Sequence, residues 1–136
     1  MKRLYHYFPK TFIMNPEEYR FFKVFKELLG VNYIIIPQVH LDDLVKPMSG
    51  RSRIFSFRHI NQKSVDFVIC NPTSMSPKTA IEIDGISHSN ERTKDRDEEV
   101  ERILREAGLP LIRFKNGDHT DKDLISKKLT ETLQKP

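Results

Sequence analysis

Two short runs, Ser64–Cys70 and residues 79–84, carry carboxylates inside otherwise apolar, β-branched sequence. Nothing else in the chain restricts its fold as strongly. Asp66 stands between Val65 and Phe67, and Glu82 and Asp84 alternate with Ile81 and Ile83. Alternation with a period of two marks a strand with one face toward a core. In the second run it puts Ile81 and Ile83 on one face and Ala80, Glu82 and Asp84 on the other. In the first it groups Val65, Phe67 and Ile69 against Asp66, Val68 and Cys70. A carboxylate inside an apolar strand is costly unless something neutralises it. If the two strands pair, Asp66, Glu82 and Asp84 converge, and each raises the pKa of the others. A hard divalent cation removes that conflict, and oxygen ligands suit Mg2+ or Mn2+. The plainer alternative is a solvated sheet face that merely carries acids.

The other elements complete an α/β domain. Asn15, Pro16 and Glu18 announce a helix, with Asn15 as N-cap, proline in the first turn and Glu18 at the capping-box position. Phe21, Phe22, Phe25, Leu28 and Leu29 give it a buried face, and Gly30 stops it. Residues 33–40 read as a strand in which Pro37 implies an edge or a bulge. Residues 41–47 have room for one helical turn, and 48–53 form a polar basic loop. A loop at 85–90 leads to a charged helix at 91–107, with Val100, Ile103, Leu104 and Ala107 on its apolar stripe. Gly108 and Pro110 end it. Residues 111–114 form a short strand and 121–133 a last amphipathic helix. The order is α-β-(β)-β-β-α-β-α, without repeats or linkers, so residues 1–136 read as a single domain.

A chain of 136 residues can bury a core without staples. Cys70 is the only cysteine, which excludes a disulfide framework and a cysteine zinc site and fits a reducing cytosol. The net charge of +4 and the pI of about 9.2 favour anionic partners such as nucleic acid. Lys2 and Arg3 precede a polar, aromatic stretch rather than the apolar run of a leader. The densest apolar run, near Tyr33 and Ile36, is too short to span a bilayer, so no membrane partner is expected.

His88 follows the acidic strand closely, just beyond Gly85. Beside a metal site, a histidine can deprotonate a water or protonate a leaving group near neutral pH. Arg92, Lys94 and Arg96 come next, among the acids Glu91, Asp95, Asp97, Glu98 and Glu99. Acids in a first helical turn are ordinary dipole partners.

In their order these residues resemble the restriction-endonuclease-like PD-(D/E)XK superfamily, whose core is αβββαβ around a mixed sheet flanked by helices. Asp66 with Glu82-Ile83-Asp84 is similar to the Asp…Glu-x-Lys signature of those nucleases. The stretch from Ile81 through Gly85 to His88, then Arg96-Asp97, then Ala107 through Arg113, resembles a narrower branch. That branch holds the very short patch repair endonucleases, the homing endonucleases with an E-D-x-H-D pattern, and uncharacterised bacterial and phage domains. The likeness spans residues 15–114 and leaves the last helix as an addition.

The resemblance implies an Mg2+-dependent DNA endonuclease, a phosphodiester hydrolase of the homing, repair or restriction type. It also implies a cytoplasmic setting in a prokaryote or phage. Asp66 would be the main metal ligand. Glu82 would be a second ligand or would orient the attacking water, and Asp84 would join the metal shell. His88 would be the general base or would polarise the attacking water, Asp97 would orient it or support the metal shell, and Glu18 would reach the site from the first helix. Arg51, Arg53, Arg58 and Lys63, with Arg92 and Lys94, would grip DNA phosphates; such contacts fix position and weaken with salt. Asp84 departs from the pattern, because most of the superfamily has lysine there. The narrower branch lacks that lysine too and uses histidine. A double-strand cut would take a homodimer or two successive nicks, and target choice would fall to a separate DNA-recognition domain or protein. Three other readings stand beside this one: a catalytically silent nucleic-acid-binding module on the same fold, a phosphoesterase for small substrates, and a purely structural role in which the acidic strands form an interaction surface.

Overall fold

A computed structural model describes residues 4–46, 60, 62–85 and 91–134 of the chain; for 91–94 and 96 it describes the backbone alone. The elements run α1 (Pro16–Leu29), β1 (Ile34–His40), α2 (Leu41–Leu44), β2 (Ser64–Cys70), β3 (Pro77–Asp84), α3 (Glu91–Glu106), β4 (Leu111–Lys115), a 3-10 turn (Asp118–Thr120) and α4 (Lys122–Leu133). The basic loop at 48–53 lies outside the described residues. So do Arg51, Arg53, Arg58 and His88, and the side chains of Arg92 and Lys94.

Helix α1 starts as its sequence dictates. The Glu18 N–H donates to Asn15 Oδ1 at 2.8 Å, and the Asn15 N–H donates back to Glu18 Oε1 at 2.9 Å. Gly30 ends the helix with φ 57°, a left-handed value that a side chain would resist.

The four strands form one sheet in the order β1-β2-β3-β4. The pairs β1/β2 and β2/β3 are antiparallel, and β3/β4 is parallel. A parallel neighbour needs a long crossover, and α3 supplies it. Helices α1 and α4 cover one face of the sheet over Phe67, Ile69, Ile81, Ile112 and Phe114. Helix α3 and the short α2 cover the other over Val65, Val68, Cys70 and Ala80. The chain is therefore an α/β fold with a four-stranded mixed sheet between helices. Phe25 packs edge-on against Phe67 with ring centroids 5.3 Å apart, and Phe21 meets Phe114 at 5.8 Å. No helix among the described residues is long and apolar enough to cross a membrane.

The expected alternation fails at one place. Phe67 and Ile69 face α1 and α4 as anticipated, but Val65 packs with Val68 and Cys70 on the α3 face. Strand β1 slips likewise: Ile36 and Val39, three residues apart, share that same face. Between them Gln38 has φ 52°, and the register passes from Pro37↔Phe67 to Val39↔Val65 without a Gln38↔Asp66 pair. The left-handed residue twists both strands, so the even-odd pattern resets at Asp66. Other departures are small. Strand β3 begins at Pro77 rather than Thr79, β4 runs on to Lys115, and the loop after it contains the 3-10 turn.

Candidate active site: a chain of carboxyls between two sheet faces

Asp66 sits where the alternation resets, so its carboxyl meets groups from both faces of the sheet. Its Oδ2 accepts the Ile83 N–H at 2.7 Å, which closes the end of the β2/β3 ladder. Glu82, from the α3 face of β3, shares a side-chain hydrogen bond with Asp66. Glu18, from α1 on the opposite face, also interacts with Asp66 through charge and hydrogen bonding. The carboxyls thus run Glu18–Asp66–Glu82 through the edge of the ladder.

Like charges this close cannot all ionise. Burial, then the charge of Asp66 and the hydrogen bond between them, push the Glu82 carboxyl up to about 9. Asp97 on α3 pushes the same way, whereas the Arg113 guanidinium opposes it. Glu18 is also raised, first by burial and then by Asp66, against hydrogen bonds from the Asn15 N–H and Gln38. A proton between carboxyls relieves the repulsion here; a divalent cation is the other way to relieve it.

Glu18 does two jobs. One oxygen completes the helix cap, and the other accepts Gln38 Nε2 at 2.6 Å. The strained Gln38 that resets the sheet therefore also ties β1 to the acid on α1. Asp84 is turned elsewhere: its Oδ1 accepts Arg113 Nη1 at 3.0 Å, and Arg113 Nη2 lies 3.7 Å from Glu101 on α3. The parallel register sets Arg113 opposite Glu82, so one cation stands beside both acids of β3. Lys63 lies 3.6 Å from Glu99. Among the described residues no three His, Cys, Asp or Glu side chains close into a metal cage.

A cleft of about 470 Å³ opens beside Asp66, lined by Glu17, Glu18, Arg20, Ile83, Gly85 and Asn116 among others. Its floor is braced by Glu17, whose Oε1 accepts the Gly117 N–H at 2.7 Å and lies 3.0 Å from His119 Nδ1. The Gly117 N–H, aided by the charge and hydrogen bonds of His119 and by Arg20, holds the Glu17 carboxyl below its usual range. A lowered folded pKa adds stability that is present above the ordinary glutamate value and lost as pH falls through the folded one. We expect Glu17→Gln to cost roughly 1–2 kcal/mol at pH 7. Thermal melts followed from pH 7 to pH 3 check this: variant and parent should converge at the acid end.

Sequence reasoning singled out Asp66, Glu82, Glu18 and Asp97; the first three come together, and Asp97 lies within reach of the Glu82 charge. It placed Asp84 with them, whereas Asp84 serves an ion pair. It missed Gln38, Arg20 and Arg113. Only Arg113 had a readable signal, a cation in the middle of an apolar strand with acids on its neighbour. No curated protein and no solved structure matches the chain. Residues 10–133 match the protein family of unknown function DUF2726, and the chain belongs to it.

Proposed function

We propose that this domain is a metal-dependent DNA endonuclease with a restriction-endonuclease-like core, akin to the very short patch repair branch of the PD-(D/E)XK superfamily. One observation carries the reading. Asp66 joins Glu18 and Glu82 at the broken end of a ladder, beside an open cleft, and leaves Glu82 a half-buried carboxyl too basic to ionise alone. A site with surplus negative charge and oxygen donors alone suits Mg2+ or Mn2+.

In this reading Asp66 and Glu82 hold the cation, and Glu18 orients the attacking water from the α1 side. Bound there, the cation would supply Lewis-acid polarisation of the phosphate and activation of the nucleophile. His88 takes the proton of the attacking water, and Asp97 supports it from α3. Arg113 offsets the charge of the acidic strand, in the absence of the lysine that Asp84 replaces. Arg20, on the cleft wall, is placed to meet a phosphate next to the scissile bond.

A supercoiled plasmid incubated with and without Mg2+ tests this directly. We expect nicked or linear product only with the metal. The engagement of Asp84 by Arg113 favours a second reading, a silent binding module. Retarded plasmid without any strand break, in Mg2+ and in Mn2+ alike, would establish that module instead.

A further inference from the structure

The chain opens with sixteen residues that contain no acid; the first is Glu17. The same stretch holds Lys2, Arg3 and Lys10, together with Tyr5, Tyr7, Phe8 and Phe12. Residues 4–10 form no helix or strand, and all of residues 4–13 are exposed. Phe8 is 90% exposed, Tyr7 84% and Phe12 77%. A contiguous run of bare rings on a small domain marks an interaction site.

We propose that residues 4–13 are an arm that binds single-stranded nucleic acid, with the rings stacking on bases and Lys10 meeting a phosphate. Interleaved aromatic and basic residues match the two parts of such a strand, flat bases and a charged backbone. The position of the arm gives the binding a direction. Its root, with Lys10, Phe12, Ile13 and Tyr19, lines an open groove of about 620 Å³. Pro16 lines both that groove and the carboxyl cleft. Cations continue along α1, where Lys23 Nζ stands 5.1 Å over the Tyr19 ring and Arg20 reaches the cleft. A strand held by the arm is led past these cations toward Asp66. Only this last step rests on the nuclease reading.

Two other occupants fit less well. A second copy's arm would bring no acid to meet Lys10. A bilayer would have to take in an extended backbone with unpaired N–H and C=O groups, which is costly.

The test is the anisotropy of a fluorescent oligothymidine of about 20 nucleotides, in EDTA so that cleavage cannot intervene. Wild-type protein should bind. Tyr5→Ala/Tyr7→Ala/Phe8→Ala should weaken binding by about 30-fold or more, with an unchanged thermal transition because these rings touch no core. Tyr5→Phe/Tyr7→Phe should bind like wild type, since stacking does not need the hydroxyls. Lys10→Gln should flatten the slope of log Kd against log salt by about 0.7. Equal binding by the triple-alanine variant overturns the proposal. So does an arm-dependent dimer in sedimentation, or arm-dependent capture on anionic vesicles, without oligonucleotide binding. If the wild type binds the strand through the arm yet cuts nothing in Mg2+, the arm stands and the nuclease reading falls. If the triple variant cuts and binds unimpaired, the reverse holds.

Discussion

If the domain is the nuclease proposed above, Asp66→Asn is expected to lower Mg2+-dependent phosphodiester cleavage by about 10³-fold or more and to leave the fold intact. The expectation follows from what the substitution keeps and what it removes. Asparagine is isosteric and retains an oxygen for the Ile83 N–H, so the end of the β2/β3 ladder remains closed. It removes the charge at the centre of the carboxyl chain, which touches both Glu18 and Glu82. A cation bound there is worth several kcal/mol at the transition state, and each 1.4 kcal/mol or so is tenfold in rate. The variant should melt no lower than the parent at pH 8, because a source of repulsion is gone. Single-turnover cleavage of a labelled duplex, with circular dichroism as the fold control, gives the answer. Undiminished cutting by a folded Asp66→Asn protein would remove Asp66 from the chemistry.

The second large effect concerns stability and has an uncommon sign. Below the ordinary glutamate pKa, Glu82 carries its proton in both folded and unfolded chains. Between that value and about 9, only the folded chain holds the proton, and folding stability declines as pH rises through this window. Glu82→Gln removes the penalty. We expect the variant to be more stable than wild type by about 1–3 kcal/mol at pH 9, on the order of 5 °C in Tm. At pH 4 the two should coincide. A divalent cation should act on the wild type in the same direction, since binding to the folded state alone raises the transition. It must displace the shared proton, so its apparent affinity should climb with pH and calorimetry in buffers of different ionisation enthalpy should register proton release. Glu82→Gln should lose both the metal response and the proton release. A variant that melts below wild type at every pH would mean that Glu82 is held by favourable contacts rather than by a shared proton.

Local signals were readable from the residues and long-range ones were not. The α1 start follows from Asn15, Pro16 and Glu18, because a capping box is complete within four residues. Strands β2, β3 and β4 follow from β-branched runs, and α3 and α4 from apolar stripes. The convergence of Asp66 with Glu82 was open to inference, since antiparallel neighbours bring their ends together. The rule that should have oriented Val65 failed because it assumes an unbroken ladder, and the break arises from Gln38, on another strand. The Arg113–Asp84 pair depends on which strand lies parallel to β3, a choice made by the α3 crossover. The Glu17 brace joins residues 100 positions apart, a contact that only packing reveals. Glu18 looked like either a cap or a site acid; its two oxygens let it be both.

Strand β2 has a neighbour on each edge and helices over each face. Amides in such a place exchange with solvent only when the whole molecule opens, whereas the first turn of a helix frays at far lower cost. Asp66, at the end of the β2/β3 ladder, thus adjoins the slowest-opening part of the protein, and Glu18 stands on a turn that opens at lower cost. Any adjustment of the carboxyl spacing to ions of different radius has to come from the α1 side.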